Sequence, residues 1–116
     1  MKRTFRSEEI EKKYQEYMQD PTSAEICSLC EKPALTVFKH WKIVENSFPY
    51  DTIAEKHHIV VPVRHVNEFE LNEEEVVELA EIKKGVINSN YDAMIESTFR
   101  TKTVPEHAHV HLIVIK

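Results

Sequence analysis

Glycine is nearly missing from this chain of 116 residues; Gly85 is the only one. A dinucleotide-binding fingerprint needs several glycines where the backbone meets a pyrophosphate, and a P-loop needs two. Both are excluded, so any phosphate bound here must be held by side chains or by amides of non-glycine residues. Long apolar runs are missing too. Residues 59–63 and 112–115 are strand-sized against the ~18–20 residues of a membrane span. There is no excess of positive charge: 15 Lys and Arg face 20 Asp and Glu, a net −5. That argues against a broad basic face for extended nucleic acid. Residues 1–17 are rich in charge and hold no secretory apolar segment. The two cysteines, Cys27 and Cys30, sit too close together to staple a fold. The expected compartment is cytoplasmic and reducing, with no membrane partner. A hydrophobic share of 41% beside 30% charged residues fits one globular domain rather than a disordered chain.

What is present orders itself along the chain. Ser7 is a plausible helix N-cap, with Glu8 and Glu9 favourable in the first turn. Ile10, Tyr14, Tyr17 and Met18 then share one helical stripe, and Asp20-Pro21 ends it. The expected division is a helical extension over 1–20 and a domain over 21–116. Residues 26–33 form a short knuckle carrying the cysteines. Residues 35–40 and 41–45 read as strand, as one bent ribbon, and 46–50 as a turn. The β-branched run 59–63 reads as a buried strand. Asn72 and Glu75 make a variant capping box, with Leu71 and Val76 as its hydrophobic staple. Val76, Leu79, Ala80, Ile82 and Val86 would give that helix its buried face, as far as Ile87, before Asn88-Ser89-Asn90 breaks it. Residues 91–97 and 108–115 complete the strands. The expected class is α+β: a mainly antiparallel sheet with helices packed on one side.

Seven histidines are many for this length, and three of them, His107, His109 and His111, alternate with apolar residues. Side chains in a strand alternate faces, so the three imidazoles would share one face about 6–7 Å apart. Ala108, Val110 and Leu112 would then face a core. Desolvating three imidazoles costs free energy unless each is hydrogen-bonded or metal-bound. Two functional readings follow for the triplet. One is a metal site holding all three rings. The other is nucleophilic catalysis, with one neutral imidazole attacking and a neighbour moving protons. Cys27-Ser28-Leu29-Cys30 has three readings: a redox pair, which the following Glu31-Lys32-Pro33 fits poorly, an incidental pair of thiols, or half of a tetrahedral zinc site. Tyr14, Tyr17, Phe38, Trp41 and Phe48 are available for base stacking, although core packing accounts for most such residues.

The stretch His107-Ala-His-Val-His-Leu-Ile resembles the signature of the histidine triad (HIT) family of nucleotide hydrolases and transferases. His57-His58-Ile-Val-Val-Pro-Val-Arg-His65 resembles that family's other block, in which a histidine precedes an apolar strand ending in Pro-x-x-His. The likeness covers roughly residues 27–116. It implies a HIT-like α+β fold and a nucleoside phosphoramidate or dinucleoside polyphosphate as substrate. It further implies His109 as the nucleophile on the α-phosphate, His111 as the group that bonds the phosphate or protonates the leaving group, and His57 as an orienting neighbour. His at the third triad position, where the transferase branch has Gln, points to a hydrolase. His58 would point the other way if its segment is strand. The family's zinc-containing members imply Cys27, Cys30, His65 and His107 as ligands of one structural zinc, and a homodimer. Asn46 and Asp51, in a segment similar to the family's Asn-x-x-Pro loop, would bond ribose or base. Where many members place a Gly-Gln-Ser phosphate loop, this chain has Arg100-Thr-Lys-Thr-Val-Pro-Glu106; Thr103 becomes the expected substrate contact there, with Arg100 and Lys102 as charge donors. The rival reading is a zinc-stabilised nucleotide-binding or interaction module with little catalysis.

Overall fold

The computed structural model describes residues 4–20, 27–101 and 104–116. Helix α1 (Glu8–Gln19) starts at Ser7, whose hydroxyl accepts the Ile10 N–H, and three glutamates line its first turn. The knuckle forms a single helical turn, α2 (Ser28–Glu31), capped by the Cys27 sulfur. Five strands follow: β1 (Thr36–Val37), β2 (Trp41–Glu45), β3 (Ala54–Pro62), β4 (Ala93–Ile95) and β5 (Val110–Ile115). They build one antiparallel sheet in the order β1-β2-β3-β5-β4. The expected bent ribbon over 35–45 is instead a hairpin, with Thr36 opposite Ile43. Phe38 N–H bonds the Trp41 carbonyl and closes the turn between its strands.

Helix α3 (Glu73–Ile82) opens on the full capping box: Asn72 Oδ1 accepts the Glu75 N–H at 2.8 Å, and Glu75 Oε1 accepts the Asn72 N–H at 2.9 Å. It runs on through a π-helical stretch, Lys83–Ile87, and a last turn, Asn88–Asn90. The polar triplet 88–90 therefore ends the helix from inside it. The buried face also differs from the expected one. Val76 and Ala80 are exposed, while Glu75 is buried at the first inward position, with Leu79, Ile82 and Val86 after it. Glu75 is tolerated there because Arg64 Nη2 and the Asn72 amide satisfy its carboxylate. The π stretch brings Ile87 back onto the face of Ile82.

The sheet has two different faces. Ile43, Val60, Val110 and Leu112 pack under α3 with Trp41, Ile82 and Ile87. Val44, Ile59 and Val61 face the other way, against Leu29 of α2. The long helix thus covers one face. The opposite face carries the histidines, with α1 and α2 at its margin. Among the described residues, no helix is long and apolar enough to cross a membrane.

Candidate active site and metal centre

The register of β3 on β5 sets Ile59 opposite His111 and His57 opposite Ile113, so His57 and His111 rise from the same face. His58 lies opposite Leu112 on the other face, where its Nδ1 is 2.7 Å from the Tyr91 hydroxyl. The triplet was expected within one strand. Only His111 lies in β5; residues 107–109 lead into it, tied down by Ala108 N–H on the Val66 carbonyl at 2.7 Å. All three rings are nonetheless buried, His107 completely.

The hydrogen bonds fix the tautomers. His57 Nδ1 accepts the Tyr50 N–H at 2.9 Å, so the neutral ring carries its proton on Nε2. That Nε2–H donates to His111 Nδ1 at 2.7 Å. His111 in turn carries its proton on Nε2, 3.3 Å from the Tyr50 hydroxyl. Burial, then the positive charge of Arg6, pushes the pKa of His57 down to about 4 and keeps it neutral. His109 Nδ1–H donates to the His107 carbonyl at 2.9 Å, which places the lone pair of the neutral ring on Nε2. The rings of His109 and His111 stand edge to face, 5.4 Å apart.

His109 and His111 line a cavity of about 580 Å³. Tyr14, Tyr17 and Met18 of α1 form one wall, and Asn46, Ser47 and Phe48 of the 46–50 turn form another. Phe48 sits against Tyr14 and Tyr17 at 5.3 and 5.2 Å between ring centroids. Three of the five aromatics available for stacking are therefore at the cavity, whereas Trp41 and Phe38 belong to the core under α3. Asn46 lines the cavity, its amide packed on the His57 ring while its Oδ1 accepts the Phe48 N–H. Asp51 does not line it. Its carboxylate accepts the Ser7 N–H at 2.7 Å, and bonds from Ser7 hold its pKa below the usual range. Thr103 and Lys102 lie outside the described residues, and Arg100 is exposed in the short helical turn Phe99–Thr101, away from the cavity lining. Two residues at the site carry no advance signal in the sequence: Arg6, one of three cations before a helix cap, and Tyr50, a turn residue.

His107 turns away from this cavity. Its Nε2–H donates to the Pro62 carbonyl at 3.0 Å, leaving the Nδ1 lone pair towards the Cys27 and Cys30 sulfurs at 3.2 and 3.4 Å. His65 Nδ1 is 3.3 Å from the Cys30 sulfur. The four ligand atoms lie within 4.8 Å of one another, the group among the described residues that could hold a metal ion. A tetrahedral ion with ordinary Zn–S and Zn–N bonds would set sulfur and nitrogen about 3.5 Å apart, close to what is seen. The Pro62 carbonyl behind His107 is the outer contact that orients a ligating imidazole. Without a cation, partial burial and the neighbouring Cys27 push the Cys30 thiol up to about 11. The donor set therefore fits a thiophilic divalent ion. The single site for three histidines does not form: His107 joins the cysteines, and His109 and His111 face the cavity.

No family model matches the sequence, and no curated protein matches it significantly. Solved structures do match. A HIT family hydrolase from Clostridium thermocellum is 19% identical, with a TM-score of 0.56, over 78% of this chain and 90% of that one. A histidine triad protein from Clostridium difficile is 22% identical, with a TM-score of 0.54, over 78% and 90%. A HIT family hydrolase from Legionella pneumophila Philadelphia 1 is 21% identical, with a TM-score of 0.50, over 76% and 91%. The antiparallel five-stranded sheet and its helices thus match one known architecture: this chain has the histidine triad fold.

Proposed function

We propose that the protein hydrolyses a nucleotide at its α-phosphate, with a nucleoside phosphoramidate or dinucleoside polyphosphate as substrate. The observation that carries this reading is the tautomer of His109, whose lone pair sits on Nε2 in a ring lining the cavity. That pair attacks phosphorus and forms an N–P bond. In a phosphoramidate the P–N bond breaks, and the amine leaves with its electron pair and takes a proton from water. His111, with its proton on Nε2, donates a hydrogen bond to a phosphoryl oxygen as charge builds there. His57 holds His111 in that tautomer, and the Tyr50 amide holds His57. Water then attacks phosphorus, the N–P bond breaks, His109 recovers its pair, and the nucleoside monophosphate leaves with a proton lost to solvent. Tyr14, Tyr17 and Phe48 supply the apolar wall for the base, and Asn46 a polar contact.

Cys27, Cys30, His65 and His107 are read here as ligands of one structural zinc, which would tie the knuckle to the segment entering β5. Similarity to structures named as HIT family hydrolases supports the hydrolase reading. Replacing His109 with Ala should abolish turnover of an adenosine phosphoramidate, by at least about a thousandfold, with the circular dichroism and melting curve retained. Unchanged turnover would refute the assignment.

A further inference from the structure

Arg6 stands just outside α1 and lines the same cavity as His109 and His111. Its guanidinium lies over the Tyr14 ring, 4.1 Å from the centroid, and 5.0 Å from the centroid of Tyr50. The Tyr50 hydroxyl reaches His111 Nε2, so one aromatic ring separates the guanidinium from the triad. The Arg6 side chain is only 13% exposed. Its Nε–H donates to the Phe48 carbonyl at 2.7 Å. Among the described residues, the other group that its N–H donors face is the Glu11 carboxylate. That contact is long, 3.6 Å from Nη1 to Oε1. That carboxylate is already engaged by Thr4 at 3.1 Å and Gln15 at 2.7 Å. A largely buried guanidinium held by one short bond and one long, shared contact gains when a ligand brings further acceptors to it. The other cation of the cavity, Lys32, donates to the Ser47 hydroxyl at the turn wall.

We propose that Arg6 is the phosphate-binding cation of this site, donating its guanidinium fork to phosphoryl oxygens of a nucleotide in the cavity. This deepens the function proposed above and rests on it. It supplies from the N-terminal segment what the glycine-poor loop over 100–106 lacks. A guanidinium suits the task because its planar fork matches two phosphoryl oxygens at once, which a lysine cannot do. The cation is held in place before ligand arrives: Asp51 anchors the Ser7 amide, Phe48 anchors Nε, and Tyr14 supports the plane. Asp51, expected to touch substrate, acts in this picture one step back, by positioning the residue next to Arg6.

The test uses inorganic phosphate as the probe and the full chain. The Arg6 Nε–H resonance, followed by 15N NMR, should shift saturably as phosphate is added. In calorimetry, R6Q should bind phosphate at least tenfold more weakly, and R6K should recover part of that loss through charge without the fork. An Arg6 resonance that stays still while phosphate binds would overturn the proposal, as would no phosphate binding by the wild type. The NMR readout needs no variant, so it stands even if R6Q loosens α1. Turnover separates the two claims. Phosphate binding that depends on Arg6, without hydrolysis of a phosphoramidate, sinks the hydrolase and keeps the cation. Hydrolysis that R6Q leaves intact, together with unchanged phosphate binding, does the reverse.

Discussion

His57 is kept uncharged by its surroundings, and that has a consequence for stability. Burial, Arg6 and then His58 all disfavour the imidazolium, so the folded pKa of about 4 lies below the ordinary 6.5. Between these values the unfolded chain binds the extra proton and the folded chain does not. Stability therefore rises with pH through that window, and is lost as pH falls from 6.5 towards 4. The ceiling on this contribution is about 3 kcal/mol, from the size of the shift. His58 and His107 are shifted the same way, chiefly by burial, so the wild-type profile is a sum. His57→Asn should remove its own share: urea unfolding of the variant between pH 4 and 6.5 is expected to show a shallower slope than the wild type. Parallel slopes would show that His57 is not held neutral. The same substitution frees His111 from its fixed tautomer, so a loss of turnover without loss of fold is expected at neutral pH.

Helix α3 begins at one carboxylate that serves three purposes. Glu75 closes the capping box with Asn72, accepts from Arg64 at 2.6 Å, and occupies the first buried position of the helix. The Arg64 bond, ahead of the opposing burial, holds its pKa below the ordinary carboxylate range. Asn72→Ala should cost about 1 kcal/mol, since it removes one cap bond from a helix end that water can partly re-solvate. Glu75→Ala should cost more, about 2–3 kcal/mol, because it strips the Asn72 amide of its partner and leaves a gap under Arg64. Equal losses in chemical denaturation would show that the cap alone matters. The cap was legible because Asn72 and Glu75 lie three residues apart. The inward turn of Glu75 in place of Val76 was not, since hydropathy ranks valine as the better core residue. The arginine contributed from beyond β3, together with the Asn72 amide, makes the carboxylate acceptable there.

At the scale of the whole molecule, the knuckle at 27–31, the end of β3 and the entry to β5 meet at four ligand atoms. If zinc binds there, it joins segments up to 80 residues apart in sequence and fixes the approach of His109. Changing Cys27 and Cys30 together to Ser should remove one equivalent of zinc by elemental analysis. It should also lower the melting temperature by about 10 °C or more, since ion binding contributes directly to folding free energy. A purified protein without zinc, or a double variant as stable as the wild type, would exclude the role. The cavity is likewise a property of the whole chain, its walls coming from α1, α2, the 46–50 turn and the triad segment.

The α+β class was legible in the sequence, and the resemblance to the histidine triad family implied the cysteine-histidine donor set. The class depends on strand alternation and helix periodicity, which are local, and the resemblance on motifs that are read along the chain. Strand lengths, the hairpin at 36–45 and the division of the triplet between a metal group and a cavity were settled by long-range pairing. Alternation says which way a ring points, but not what stands opposite it. Arg6, Tyr50 and Asp51 show the same limit. Each takes its part from a neighbour some 40 or more residues away, or from a ring across the sheet. Burial and hydrogen-bond partners, which decide tautomer and charge, exist only once the chain has closed on itself.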